Sequence, residues 1–193
     1  MKKKNQKGFT LIELLAVIVI LGVLLAIAIP SVAKYINTAK KSTFIENVQS
    51  YAAAARNELF LTNSDYQLPV STGDATVISF KELETALENG GKKSSYGGSF
   101  VEKYSYVIIV NDGTAEKPHF TYWIAALDEK GYAIGEKASG SAAAAKLIKY
   151  DELKEDNVVQ VGANNGISVN SAVSATSDLT SITNKYPSSF PVE

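Results

Sequence analysis

The distribution of apolar positions divides the chain near residue 30. Residues 9–29 form a run in which only Thr10 and Glu13 are polar. As one helix this run would be about 31 Å long, close to the hydrocarbon thickness of a bilayer. A secretory signal has a shorter apolar core, then a small-residue cleavage site and a polar start. Here the run is longer, and the residues beyond it keep a helical period. Pro30 lacks an N–H and its ring crowds the Ala26 carbonyl, which predicts a kink. Gly22, of poor helix propensity, marks the other end of a segment expected to bend. Beyond Pro30, apolar residues recur at three- and four-residue steps from Val32 through Ile36, Val48, Ala52 and Ala55 to Leu59, with one six-residue gap between Ala39 and Ile45. Lys34, Lys40, Lys41, Glu46 and Arg56 fall mainly between them, the signature of an amphipathic helix. The pattern predicts one helix over about residues 9–61, its second half laid against a sheet, with the small residues at 52–55 allowing close approach.

Residues 62–73 read as a loop, broken by Asn63-Ser64-Asp65 and Pro69. Ser79 and Glu82 form a capping-box pattern, which predicts a short helix over 80–88, stopped by Asn89-Gly90-Gly91. Gly97-Gly98 lead into the strongest strand pattern, residues 100–110, which ends at Asn111-Asp112-Gly113. Residues 120–127 form a second strand, and Asp128-Glu129-Lys130-Gly131 turn into a third near 132–135. These three predict an antiparallel meander packed on the long helix, so the fold class is α+β. Farther on, residues 142–153 read as a helix and 158–161 as a fourth strand. The polar stretch 162–189 reads as a surface loop pinned by Ile167, Val169 and Leu179, or as partly disordered.

Charge placement adds a direction to this layout. Residues 1–8 hold Lys2, Lys3, Lys4 and Lys7 and no acid. Of 19 basic residues that leaves 15 against 20 acidic ones, a net charge of -5 on the remainder. A basic head before an apolar span fits an inserted chain whose basic end stays in the cytoplasm. The overall charge of -1, with no basic patch beyond the first residues, argues against a nucleic-acid partner. Cysteine is absent, which excludes disulfides, thiolate metal sites and a cysteine nucleophile.

Glu13 is the anomaly, because an ionised side chain inside an apolar span usually serves a partner or a pathway. Snorkelling to the headgroups is the plain alternative. The run Lys7-Gly8-Phe9-Thr10-Leu11-Ile12-Glu13 resembles the cleavage and methylation signal of type IV prepilins and the related pseudopilins. The resemblance covers about the first 55 residues, and Pro30 matches the family's helix-breaking proline. It implies a leader over residues 1–8, cut between Gly8 and Phe9 by a membrane peptidase that also methylates the new Phe9 amine. It implies further regions at 9–29 (membrane and filament core), 30–62 (amphipathic helix half) and 63–193 (sheet head). The Glu13 carboxylate would meet the Phe9 amine of a neighbouring subunit, and a misplaced subunit would leave both charges unpaired. The implied partners are further copies of the chain, the prepilin peptidase, an assembly platform protein with its ATPase, and the membrane. The implied location is the cytoplasmic membrane for the precursor and the cell surface for the fibre. Many relatives from double-membraned bacteria close the C-terminal region with a disulfide. This chain lacks cysteine, which favours a Gram-positive type of host.

No catalytic, metal or cofactor motif is found. His119, the one histidine, reads as a surface residue. Asp151, Glu152, Glu155 and Asp156 lack the ligand alternation and glycine of a calcium loop. Gly97-Gly98 and Gly162 lack the context of a phosphate loop. Trp123 and the ten tyrosines could mark contact surfaces, but at strand spacing most read as core or sheet-face residues. The candidate functions are a pilin of a fibre for adhesion, motility or DNA uptake, a pseudopilin of a secretion or competence machine, and a membrane-tethered enzyme or receptor. Gly8 with Glu13 disfavours the third, and the length of the processed chain favours the first over the second.

Overall fold

The apolar period that starts at Phe9 forms one helix in the computed structural model, which describes residues 9–61, 66–87, 91, 93–137, 141–168 and 171. Helix α1 runs Leu11–Leu59 and stays helical through Gly22 and Pro30. The chain divides into two compact units, Met1–Ala39 and Lys40–Glu193. In the first, every described residue is exposed. Its described Leu, Ile and Val side chains are exposed, and apolar surface of that extent marks contact with lipid or with other protein. By length and composition α1 is able to cross a membrane, alone among the described helices.

In the second unit the periodicity of α1 turns into burial. Phe44, Ile45, Val48, Tyr51, Ala52, Ala55 and Leu59 are buried at helical spacing. They share one core with Ile78, Val107, Ile109, Ile124 and Ile148 of the sheet. That sheet has the order β1-β2-β3-β6, from Ala75–Ser79, Tyr106–Asn111, Phe120–Ala125 and Ile148–Lys149, all antiparallel. Register sets which side chains meet the helix: Ile78 lies opposite Val107, Val107 opposite Ile124, and Ile124 opposite Ile148. The other face is apolar too, with Val77, Tyr106, Ile108, Val110 and Ala125 buried beside Trp123, Leu147 and Ile167. Burial on both faces accounts for the uninterrupted apolar run of β2, where a one-sided strand would alternate.

A second sheet, order β5-β4-β7, joins Ala144–Ala145, Tyr132–Glu136 and Val158–Gln160. The meander expectation is corrected here. The first two of its strands pair, as β2 and β3, but the third is β4 and belongs to the second sheet. The free edge of β3 is taken by β6, and β4 is tied to the end of β3 beside the turn, through the bridge Leu127–Ala133 and the Ile134 N–H donating to the Ala126 carbonyl (2.9 Å). Buried Asp128 closes that turn by accepting the N–H groups of Lys130 (2.9 Å) and Tyr132 (2.8 Å) and a hydrogen bond from the Ser94 hydroxyl. Gly131 supplies the positive φ, 83°, that the turn needs.

Other elements move within these constraints. The expected helix over 142–153 is instead β5, β6 and a 3-10 turn, Tyr150–Glu152. The alanine run favours helix locally, but pairing with Gly135 and Glu136 and the placing of Ile148 opposite Ile124 override it. Strand β1 falls between the expected loop and the expected helix. Residues 102–104 form a 3-10 turn, so β2 starts later than expected. Helix α2, Phe80–Leu83, has the expected capping box, in which the Ser79 N–H donates to Glu82 Oε2 (3.2 Å) and the Glu82 N–H to Ser79 Oγ (3.3 Å). It is shorter than expected because Glu84 N–H and Ala86 N–H donate three residues back, tightening the chain out of the α-helix. The expected fourth strand is β7. The Tyr106 hydroxyl donates to the Ile167 carbonyl (2.9 Å), fixing the start of the polar stretch, while Val169 and Leu179 lie outside the described residues. So do Asn63-Ser64-Asp65 and Asn89-Gly90.

Candidate functional site

The residues singled out from the sequence lie at the start of α1. Thr10 is the last residue before the helix, and Leu14 N–H donates to its carbonyl (3.2 Å). Glu13 sits in the first turn, three residues on. The Thr10 N–H and the Thr10 hydroxyl both donate to Glu13 Oε2 at 2.8 Å, and the Glu13 N–H donates to Thr10 Oγ1 at 3.3 Å. This is a capping box, two otherwise orphaned donors satisfied reciprocally. The helix N-terminus also favours a negative charge at that position. Glu13 is therefore engaged within its own chain before any partner arrives, and both bonds that its carboxylate accepts from Thr10 use Oε2.

Thr10 is the site residue that sequence reasoning missed, although the signal is there. Thr10-Leu11-Ile12-Glu13 has the same Ser/Thr-x-x-Glu spacing that identifies Ser79 and Glu82. The apolar run and the anomaly of Glu13 draw attention away from it. Phe9, next to the cap, is 88% exposed. Gly8 and the rest of residues 1–8 lie outside the described residues. Gly22 and Pro30 lie within α1, far along the same exposed helix from Glu13.

The remaining sequence candidates are dispersed. His119 Nδ1 lies 2.5 Å from Asp112 Oδ1 on an exposed hairpin tip. Asp151, Glu152, Glu155 and Asp156 are exposed on two successive 3-10 turns. Among the described residues, no His, Asp and Glu side chains gather as a metal site. Gly97 and Gly98 form a tight turn in which Ser94 N–H donates to the Gly98 carbonyl (3.2 Å).

Comparison with known proteins bears on the same end of the chain. The family model described as the prokaryotic N-terminal methylation motif matches residues 3–29. The type II secretion system core protein G of Pseudomonas aeruginosa is 41% identical over 54 residues, 28% of this chain and 38% of that protein. A fimbrial protein of Pseudomonas aeruginosa is 34% identical over 83 residues, 39% of this chain and 54% of that protein. The type IV major alpha-pilin of Moraxella bovis is 37% identical over 90 residues, 47% of this chain and 49% of that protein. The chain spans about half or less of the length of these curated relatives. No solved structure gives a significant match. The chain thus carries the prokaryotic N-terminal methylation motif ahead of an α+β body, and it is similar to type IV pilins and to a type II secretion core protein.

Proposed function

We propose that the chain is a type IV pilin, a structural subunit that waits in the cytoplasmic membrane and polymerises into a surface fibre. The observation that carries this reading is the first unit: an apolar helix exposed at every described residue, opening on a capped glutamate that lies within the matched methylation motif. A surface of this kind is stable in two settings, lipid and a bundle of like helices. Transfer from one to the other carries no large hydrophobic penalty, and packing and polar pairing then decide the outcome.

In this reading the prepilin peptidase removes residues 1–8 between Gly8 and Phe9 and methylates the Phe9 amine. The regions 9–29, 30–62 and 63–193 act as membrane and core helix, amphipathic half and head. An assembly platform and its ATPase lift the subunit from the membrane. The cationic Phe9 amine of one copy then meets Glu13 of another. Thr10 holds Oε2, which leaves Oε1 for the incoming amine, so the carboxylate need not abandon its cap to make the pair. Gly22 and Pro30 bound a segment that bends or unwinds when packed. The fibre serves adhesion, motility or DNA uptake, and the chain has a structural role in place of catalysis.

A second reading, a pseudopilin with a short polymer inside a secretion or competence machine, is favoured by the 41% identity with the secretion core protein. Electron microscopy of cells labelled with an antibody to the head separates the two. Labelled filaments extending from the surface support the pilin. Label confined to the envelope in a fully expressing strain supports the pseudopilin.

A further inference from the structure

A pocket of about 250 Å³ opens on the second unit between α1, β3 and the turn Tyr150–Glu152. Ala52, Ala53, Arg56 and Asn57 line it from one strip of the helix, Tyr122 from β3 and Tyr150 from the turn. The two alanines create the space, and Arg56 overlooks it. Arg56 is the one arginine of the chain, and its helical neighbours three and four residues away are Ala53, Ala52, Leu59 and Phe60. No carboxylate is therefore placed to pair with it along the helix. Among the described residues the ion pairs are Lys81–Glu102, His119–Asp112 and Lys146–Glu136, and Arg56 is in none of them. Burial pushes the Tyr122 phenol up while the nearby Arg56 pulls it the other way, and the net shift is upward. The phenol thus stays a proton donor at neutral pH beside the guanidinium. With the Asn57 amide, the wall is rich in donors. A guanidinium fork above an apolar floor suits a carboxylate on a short aliphatic stem. The volume lies below the roughly 300–1,000 Å³ of small-ligand pockets and is nearer to that of one side chain.

The chain also carries the complementary group. Glu102, Glu136 and Asp112 are in ion pairs, Glu82 is in its cap, Asp128 is buried in its turn, and Glu129 accepts the Ser99 N–H (3.1 Å). Glu46, Glu58, Glu84, Glu116, Asp151, Glu152, Glu155 and Asp156 are in none of these arrangements, and the last four stand together in one exposed run with Lys154 its one cation. The run begins at the rim of the pocket of its own chain, yet none of its carboxylates reaches Arg56 within ion-pair distance.

We propose that this pocket is a contact between copies of the chain, in which Arg56 of one copy binds a side-chain carboxylate from the acidic turn 151–156 of another. The proposal rests on the polymer-forming reading and names a second contact for it, far along the chain from Glu13. A pair of this kind fixes which faces meet more than it adds to affinity.

The absence of cysteine allows a direct test in fibres of the full chain. Two differently tagged forms are expressed together, one carrying Arg56→Cys and the other a single cysteine at Asp151, Glu152, Glu155 or Asp156. Each chain then holds one thiol, so a disulfide between the two tags joins two copies. At least one of the four pairs is expected to link on mild oxidation, and a pair using Glu116→Cys is not. Arg56→Gln should lower fibre yield about thirtyfold or more, the low end of the cost of removing one partner of a buried interface charge pair. Arg56→Lys, which keeps the positive charge at the end of α1 and loses the planar fork, should lie between. No link in any of the four pairs, with Arg56→Gln fibres at the parental level, would overturn the contact and leave the polymer intact. Loss of the Arg56→Gln subunit itself, again with no link, would assign Arg56 to the fold of its own chain. A parent chain recovered only as monomer would overturn the polymer reading and this contact with it.

Discussion

Replacing Tyr51 tests how the helix is held to the sheets of the second unit. Its ring is 1% exposed, stacks on Phe80 at 4.0 Å and 7°, and meets Phe100 edge-on at 5.7 Å and 85°. Phe80 in turn meets Phe100 at 5.2 Å, and Phe44 meets Phe100 at 5.5 Å. Four rings from α1, α2 and the strand entry therefore form one cluster. Tyr51→Leu keeps a large apolar side chain but loses two ring contacts, each contributing about 0.5–1.5 kcal/mol beyond burial. The expected loss is about 1–3 kcal/mol by the same measure. Tyr51→Ala adds a cavity and should cost about 3–5 kcal/mol, the range for large aromatic truncations. That is a large fraction of the roughly 5–15 kcal/mol that holds a typical domain together. Trp123, the one tryptophan, lies in β3 and reports unfolding of the sheet by fluorescence, with the full chain in detergent micelles. A double-mutant cycle of Tyr51→Leu with Phe80→Leu should return a coupling of about 0.5–1.5 kcal/mol. If Tyr51→Ala unfolded within about 0.5 kcal/mol of the parent, as a neutral surface change does, the cluster would not be what anchors the helix.

The same geometry sets three further expectations. Glu13→Gln keeps a side chain that suits a capping box while removing the charge, so leader cleavage and insertion should persist and fibre yield should fall steeply. Glu13→Ala loses both cap and charge, and normal fibres from either variant would leave Glu13 as an ordinary snorkelling residue. Pro30→Ala restores a backbone donor, and fibres imaged by electron microscopy should change in geometry or extensibility; identical fibres would remove the segment from 22 to 30 from the account. Ser79→Ala removes half of the α2 capping box and should lower stability by about 1 kcal/mol, read from the same Trp123 transition.

The parts of this fold that are legible in the sequence are those where one local signal acts alone. The period of α1, the Ser79–Glu82 cap and the apolar run of β2 each fix an element without help from distant residues. The helix expected at 142–153 failed because Ala144, Ala145 and Ile148 are claimed by strand partners distant in sequence, Gly135, Glu136 and Ile124. The departure of β4 from the meander escaped for the same reason, since occupation of the β3 edge by β6 cannot be read from either strand. Strand β1 is five residues between a loop and a cap and is buried at every position, so it is short and carries no alternation to reveal it. At the candidate site, the spacing of Gly8, Phe9 and Glu13 carries the resemblance to the prepilin signal, and the roles it implies for them are part of the proposal. The role of Thr10 is legible in the sequence as well, because a capping box is local and Thr10-Leu11-Ile12-Glu13 has its spacing.

The central claim is that this chain is processed at Gly8 and built into a fibre through its exposed N-terminal helix. Mass spectrometry of the subunit from sheared, purified surface fibres tests both halves at once. The account predicts that the fibres contain this chain, beginning at a methylated Phe9 and lacking residues 1–8. Fibres without the chain, or a fibre subunit that still begins at Met1, would contradict it.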